Sequence, residues 1–287
     1  TLQPIRRLDV DAAILFADIL LPFEPLGLGL SFAAGEGPVI SHPIRDAAAV
    51  AALPVVDPAE HLGYVLQTVK RVRAGLAERV TLIGFAGAPF TLASYAIEGG
   101  ASRDFARTKS FMHAEPKAWH ALLGKLAELV GAFLAAQARA GAGAVQLFDS
   151  WVGCLSPADY REYVQPHSRR ALALAAASGV PVIHFGTNTA GFLSDFAAAG
   201  GDVIGVDWRL PLDAAWAAIG PDRAIQGNLD PATLLAPRRE LERRVKEILG
   251  ASGGRAGHIF NLGHGVLPAT PVEALQAVVA MVRNGRT

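Results

Sequence analysis

Residues 11–18, Asp11-Ala-Ala-Ile14-Leu15-Phe16-Ala-Asp18, form a continuous apolar run that ends in a carboxylate. Such a run reads as a strand buried on both faces, the kind a parallel sheet uses. The pattern recurs down the chain. Val80-Thr-Leu-Ile-Gly-Phe85-Ala-Gly-Ala-Pro89, Ala144-Val-Gln-Leu-Phe148-Asp149-Ser150 and Val180-Pro-Val-Ile-His184-Phe185 repeat it. Val203-Ile-Gly-Val-Asp207-Trp208, Ala224-Ile-Gln-Gly-Asn228-Leu-Asp230 and His258-Ile-Phe-Asn-Leu-Gly-His264-Gly follow. Each short apolar stretch closes on a polar residue or a turn, as strands do.

Helical patterns alternate with these strands. From Ala59 to Arg79, Leu62, Val65, Leu66, Val69, Val72 and Leu76 share one stripe, with Lys70, Arg71 and Arg73 off it. From Glu115 to Ala140 the stripe is Trp119, Leu122, Leu123, Leu126, Leu129, Val130 and Phe133. Pro157, Pro231 and Pro271 stand where helices begin, a position where a missing N–H costs nothing. Ser156 with Asp159 and Thr270 with Glu273 read as N-caps with an acid in the first turn. The alternation predicts an α/β fold, a single-domain (β/α)8 TIM barrel over residues 1–287. Seven strands are legible; the eighth is expected in a poorly patterned segment or in chain outside these residues.

Composition excludes several classes. Lys+Arg and Asp+Glu are both 26, so no net field draws in nucleic acid or an anionic membrane. The single cysteine, Cys154, allows no intrachain disulfide and suits a reducing compartment. No apolar stretch reads as long and uncharged enough to span a bilayer, and no signal core opens the chain, so a cytoplasmic protein is expected. The chain begins Thr1-Leu-Gln-Pro-Ile-Arg-Arg, without methionine and already helical in pattern, so upstream residues are expected to be lost here.

In a parallel barrel the chemistry stands at the C-terminal strand ends. Here these offer Asp18, Tyr95, Glu98, Asp149, Ser150, His184, Asp207, Asp230 and His264. None of the eight histidines stands within four positions of another, so a zinc site is not expected. Gly27-Leu-Gly29 lacks the third glycine of a dinucleotide fingerprint and reads as a glycine-rich loop. Ser150 sits in Phe-Asp-Ser-Trp-Val-Gly, which is not a nucleophile elbow.

Four segments carry a resemblance that spacing alone does not supply. Ala13-Ile-Leu-Phe-Ala-Asp-Ile-Leu20, Gly84-Phe-Ala-Gly-Ala-Pro-Phe-Thr-Leu92 with Tyr95 and Glu98-Gly-Gly100, Gln146-Leu-Phe-Asp-Ser-Trp151, and Phe260-Asn-Leu-Gly-His-Gly-Val-Leu-Pro268 resemble uroporphyrinogen decarboxylases. The likeness covers the whole chain. It implies a cofactor-free and metal-free barrel enzyme of haem biosynthesis, usually a homodimer. Such an enzyme removes carbon dioxide from the four acetate side chains of uroporphyrinogen III to give coproporphyrinogen III. Family members also carry Arg-Gln-Ala-Gly-Arg-Tyr, whose arginines meet substrate carboxylates; these 287 residues contain no such segment, and it is expected upstream.

The resemblance makes Asp18 the essential aspartate, bound to the pyrrole N–H groups, against a blander reading as a helix cap or an arginine's partner. Packing against Ile14, Phe16 and Phe85 is expected to bury it. Tyr95 becomes a substrate-carboxylate contact and candidate proton donor, rather than a core tyrosine with one satisfied hydroxyl. Ser150 becomes a carboxylate donor rather than a cap. His264 meets a substrate side chain from a turn that Gly263 and Gly265 allow to approach closely. Ile14, Phe85 and Phe148, core residues on pattern alone, become macrocycle contacts. His184 and Asp207 are read as structural, and the glycine-led basic stretch from Gly99 through Arg103 to Lys109 as a mobile flap or a solvated loop.

Two rival readings are set beside this one. A corrinoid-linked methyltransferase relative would hold zinc through His-x-Cys, and here Gly186 follows His184-Phe in place of that cysteine. A non-catalytic tetrapyrrole-binding protein is suggested by the absent arginines.

Overall fold

The structure, a computed structural model, describes residues 1–33 and 37–285. Helix α1 (Leu2–Leu8) leads into β1 (Ala12–Ile14). An antiparallel hairpin, β2 (Leu30–Ala33) and β3 (Gly37–Ile40), stands apart from the main sheet. Six further strands follow: β4 (Thr81–Gly87), β5 (Ala144–Asp149), β6 (Val182–Gly186), β7 (Val203–Gly205), β8 (Ala224–Leu229) and β9 (His258–Leu262). With β1 they form one parallel sheet in the order β1-β4-β5-β6-β7-β8-β9. Each strand pairs with the next in sequence, so the sheet winds one way without the reversal of a doubly wound fold. The fold is therefore of the (β/α)8 barrel type, with seven of its strands among the described residues. The expected eighth is not supplied by the hairpin.

The intervening helices cover the sheet. They include α2 (Gly63–Ala74), α3 (Pro89–Glu98), α4 (Ala106–Ala114), α5 (Pro116–Arg139), α6 (Gln165–Ala176) and α7 (Leu193–Ala198), then α8 (Leu212–Ile219), α9 (Arg238–Ala251) and α10 (Val272–Asn284). The stripe predicted over 115–140 is α5, and all seven of its apolar residues are buried. This helix corrects one expectation: by length and composition it is apolar enough to cross a membrane. Two-thirds of its most apolar window is nevertheless buried inside the protein, chiefly against α6, β4 and α3. That is the position of a core helix.

The helix predicted over 59–79 is broken. A turn at Pro58–His61 is separated from α2 by Leu62, whose backbone (φ −112°, ψ 24°) leaves the helical region. Leu62, Val65 and Val69 are buried as the stripe requires. The helix stops at Ala74 because Arg73 turns back, donating to the carbonyls of Leu76 (3.0 Å), Ala77 (2.7 Å) and Val80 (2.6 Å). Ser156 caps as expected, accepting from the Asp159 amide at 3.1 Å. Thr270 does not: α10 has Pro271 at its N-cap, and the Thr270 hydroxyl is buried without a partner. Pro231 opens a 3-10 turn, Pro231–Leu235, rather than an α-helix.

Register fixes what faces the barrel interior, because side chains alternate along each strand. Phe85 pairs with Gln146, and Phe148 with Phe185, so all four share a face. Gln146 and Gln226 meet in the buried interior, Gln226 Nε2 donating to Gln146 Oε1 at 3.4 Å. The two edge strands are thinner in cover, and inward-facing Ile14 and Ile259 are each 42% exposed. Beyond the pairing with β1, the Phe85 N–H and C=O are both taken by the buried Gln137 side chain of α5, at 3.0 and 2.8 Å.

Candidate active site

The polar residues at the strand ends do not all remain available. Asp207 is consumed by its surroundings: its carboxylate accepts from the Asn188 amide (2.7 Å), the Arg209 amide (3.0 Å) and Arg209 Nη1 (2.6 Å). It ties together the loops after β6 and β7. His184 faces away from the interior, fully buried and stacked 3.7 Å from Phe196 of α7, and burial depresses its pKa to about 3. It is neutral at working pH. Both positions agree with a structural reading.

Glu98 is tied to the next helix, its Oε1 accepting from both the amide and the hydroxyl of Thr108 at 2.9 Å. That bond, with Lys109 Nζ donating to the Cys154 carbonyl at 2.7 Å, corrects the flap expectation. The second half of the glycine-led segment is the start of α4, anchored at both points.

What remains gathers into two aromatic groups. Phe85 and Phe148 meet edge to face at 5.7 Å, Phe148 and Phe185 at 5.5 Å, and Phe185 reaches the His264 ring at 6.5 Å. These rings form an apolar arc from β4 to the turn after β9. Gly205 makes room for it, because a Cβ there would lie 2.8 Å from the Phe185 ring. His264 is exposed at the end of the arc, in a turn set by Gly263, where a Cβ would lie 2.8 Å from the Trp208 amide. Gly265 meets nothing within 4 Å, so close approach depends on Gly263 alone.

The second group lies across β5. Tyr95, on α3, stacks on Trp151 with centroids 3.8 Å apart, and Phe105 packs edge-on against Trp151 at 5.0 Å. Burial raises the Tyr95 pKa, and the Asp18 carboxylate raises it further, so the phenol stays protonated and lies within the field of Asp18. Its hydroxyl makes no hydrogen bond to a described residue, unlike the satisfied core tyrosine of the blander reading. Ser150 follows β5 directly; its carbonyl accepts from Thr187 Oγ1 at 2.6 Å, and its hydroxyl caps no helix.

Asp18 lies four residues past β1 and is half-buried. Oδ1 accepts from the Leu20 amide at 2.8 Å, starting the turn that follows, and no described residue occupies Oδ2. Asp18 therefore braces a turn rather than capping the 3-10 helix Leu21–Phe23, whose N-cap is Leu20, and an arginine partner is absent among the described residues. The expected apolar wall is corrected: Phe85 is 8% exposed, but Phe16 is 87% exposed and Ile14 lies on the open edge. The apolar run continued past the three residues that pair as strand, and Phe16, two positions beyond Ile14, stands outside that pairing and largely in solvent.

Phe185 and Trp151 are site-lining residues that the sequence reading quoted but did not assign. Phe185 could have been found from its alternation with Ile183, two places back on the same face. Trp151 had no local signal, because its partner Tyr95 comes from another helix. A cavity of about 600 Å3 lies elsewhere, between β8 and α9, lined by Trp208, Leu229, Asp230, Glu240, Arg244 and Ile248 among others. Of the strand-end candidates it holds Asp230 alone. Among the described residues no three His, Cys, Asp or Glu side chains converge as metal ligands.

The uroporphyrinogen decarboxylase (URO-D) family matches residues 1–285. Relatives named uroporphyrinogen decarboxylase, from Sorangium cellulosum and Carboxydothermus hydrogenoformans, are 60% and 56% identical over 284 residues. Each alignment covers 99% of this chain and 81% of the relative. Among solved structures, a methyltransferase from Methanosarcina mazei matches with a TM-score of 0.83 at 20% identity, over 99% of this chain and 83% of its own. That likeness speaks for the fold alone.

Proposed function

The chain belongs to the uroporphyrinogen decarboxylase family, and we propose that Asp18 and Tyr95 carry its reaction, with Ser150 and His264 holding substrate carboxylates. The activity is removal of the four acetate carboxyl groups of uroporphyrinogen III as carbon dioxide, giving coproporphyrinogen III in haem biosynthesis. An acetate on a pyrrole cannot lose carbon dioxide directly, because the electron pair left behind has nowhere to go. Protonating the ring at an α-carbon creates an iminium-like sink. The bond to the carboxyl carbon then breaks, its pair flows into the ring, and an exocyclic methylene forms. A proton delivered to that methylene makes the methyl group, and loss of the α-proton restores the pyrrole. One proton is consumed for each carbon dioxide released. The sink is the substrate's own ring, so the scheme calls on no metal or organic cofactor.

The protein's task is then electrostatic. A carboxylate beneath the pyrrole N–H groups accepts charge-assisted hydrogen bonds and stabilises the ring cation as it forms. Asp18 suits this through its unoccupied Oδ2. Tyr95, kept protonated, donates to a substrate carboxylate and is the candidate proton donor. The Ser150 hydroxyl and the His264 ring reach other side chains, while Ile14, Phe85 and Phe148 provide apolar contact to the macrocycle. The observation that carries the reading is that Asp18, with Oδ2 unoccupied by any described residue, acts electrostatically on the buried phenol of Tyr95.

A homodimer, a cytoplasmic location and a single barrel domain over 1–287 belong to the same proposal and rest on the family resemblance and on Cys154 being the lone thiol. Asp18→Asn tests the mechanism. Asparagine keeps the bond from Leu20 but cannot offer a charge, so the fold should persist while kcat falls on the order of a hundredfold or more. Near-normal turnover of uroporphyrinogen by Asp18→Asn would remove Asp18 from the chemistry.

A further inference from the structure

Asp149 is the last residue of β5 and the immediate neighbour of Ser150, yet it cannot touch substrate: it is completely buried. Its Oδ1 accepts from Thr91 Oγ1 at 2.8 Å, and its Oδ2 is buried with no partner. Thr91 lies on α3, four residues before Tyr95, so the two occupy one face of that helix. The Thr91 hydroxyl has a single proton. Donating it to Asp149 leaves the oxygen's lone pairs to accept from the Trp151 amide, which it does at 3.3 Å. Trp151 in turn stacks on Tyr95. Asp149, Thr91, Trp151 and Tyr95 thus close a ring through α3, with Ser150 inside the turn it fixes. Thr187 Oγ1 holds that turn from the other side, through the Ser150 carbonyl.

We propose that Asp149 is a positioning residue for the decarboxylation: by orienting the Thr91 hydroxyl it locks the Ser150–Trp151 turn, and through Trp151 it sets the ring of Tyr95. The inference rests on the reading of Tyr95 and Ser150 as substrate contacts. It explains why a carboxyl group with only one side-chain donor occupies a fully dry position at a strand end, where an apolar residue would pack without cost. Burial raises the Asp149 pKa to about 7, opposed by the Thr91 hydrogen bonds. The neutral acid is therefore populated at working pH and offers Thr91 the same acceptor oxygen. The titratable groups facing Asp149 are Tyr160 and Cys154, with Lys109 and Glu98 beyond Cys154. Burial holds Tyr160 and Cys154 neutral, the latter with its pKa at about 11, so neither changes charge in the range where Asp149 does.

The test uses the full-length enzyme and uroporphyrinogen, with Thr91→Val, Thr91→Ser, Asp149→Asn and Tyr95→Phe measured singly and in pairs. Thr91→Val removes the hydroxyl at constant shape; we expect kcat/KM to fall about tenfold or more, with KM raised. Loss of folded enzyme would lower apparent kcat alone. Thr91→Ser restores most of the activity that Val loses. Combined with Tyr95→Phe, Thr91→Val should add little, because both act through one ring. Asp149→Asn keeps an acceptor for the Thr91 hydroxyl, so it should lose less kcat/KM than Thr91→Val does. Thr91→Val with wild-type kcat/KM, or strictly additive effects with an impaired Tyr95→Phe, overturns the positioning role. A fully active Tyr95→Phe instead overturns the reading of the site beneath it, and the inference falls with it.

Discussion

The same buried carboxyl group has a consequence for stability that can be measured without substrate. In the unfolded chain Asp149 titrates near 3.9, and in the fold burial lifts it to about 7. Below about pH 4 it is protonated in both states, and its contribution is fully present. Between about 4 and 7 the unfolded chain releases the proton while the fold keeps it, so stability is lost as pH rises through that window. Above 7 the loss is complete. The gap of about three units, at roughly 1.4 kcal/mol per unit, amounts to about 4 kcal/mol in all. Roughly 2–3 kcal/mol of this falls between pH 5 and pH 8.

Asp149→Asn is neutral throughout and lacks this slope. Its amide places a donor where Oδ2 now stands unpaired, a cost of roughly 1–3 kcal/mol that does not vary with pH. The informative quantity is therefore the difference between variant and wild type as a function of pH, in which other titrating groups cancel. Urea unfolding followed by circular dichroism at pH 5, 6, 7 and 8, with equal m-values required of both proteins, supplies it. The variant should gain on the wild type by roughly 2–3 kcal/mol across that range. Parallel curves, constant to about 0.5 kcal/mol, would mean that the carboxyl keeps an ordinary pKa, and the dry, singly bonded environment argued here would be wrong.

Three further outcomes are expected. Gln137→Leu leaves the Phe85 N–H and C=O unpaired inside the protein and should destabilise the fold by about 2–4 kcal/mol in denaturant titrations; a change under 1 kcal/mol would show that water replaces the side chain. Gly153→Ala puts a Cβ against Asn188 and the Thr187 carbonyl, forcing apart the turns after β5 and β6, so both the melting temperature and uroporphyrinogen turnover should fall; an unchanged melting curve refutes the close approach. Purified enzyme should contain no stoichiometric zinc or iron and keep its activity in chelator, and a metal lost together with activity would sink the ring-cation scheme.

Much of the barrel could be read from the chain because its strands and its longest helix carry strong, simple periods. The stripe from Trp119 to Phe133 lies within a single helix of 24 residues, and no competing signal disturbs it. The break at Leu62 was not legible, since leucine fits either side of it and the turn is set by tertiary packing. The hairpin of β2 and β3 was hidden behind Gly27 and Gly29, whose positive φ angles belong to the turn before it. Phe16 was misplaced because hydrophobicity continued after the strand had ended; pattern alone cannot separate a strand residue from an exposed residue that follows it. Among the candidate site residues, Asp18, Tyr95, Ser150 and His264 stood out at or just after strand ends, while Phe148 read as core. The partnership of Tyr95 with Trp151 and the Asp149–Thr91 bond join residues more than fifty positions apart, and one sequence carries no trace of such pairing.

The choice of Asp18 over the other strand-end acids can itself be tested. Asp149 is buried behind the site, Asp207 is saturated by three donors, and Glu98 caps α4. Asp230 is the nearest rival. Like Asp18 it is half-buried, and like Asp18 it gives one oxygen to an amide two residues on, that of Ala232 at 2.9 Å. The two differ in what surrounds the second oxygen. Asp230 lines the cavity beside α9, with Glu240 and Arg244, outside the aromatic arc. The charge of Asp18 is felt by Tyr95, at the cleft where Phe85 and Phe148 stand. If proximity to that cleft decides which carboxylate steadies the ring cation, Asp230→Asn should retain kcat within about threefold while Asp18→Asn loses on the order of a hundredfold. Both variants keep their turn-forming bond, so equal melting temperatures are expected, and chromatography of coproporphyrinogen isolates the chemical difference. Equal losses of kcat in the two would show that the acids act through the shape of the barrel rim rather than through a charge beneath the substrate.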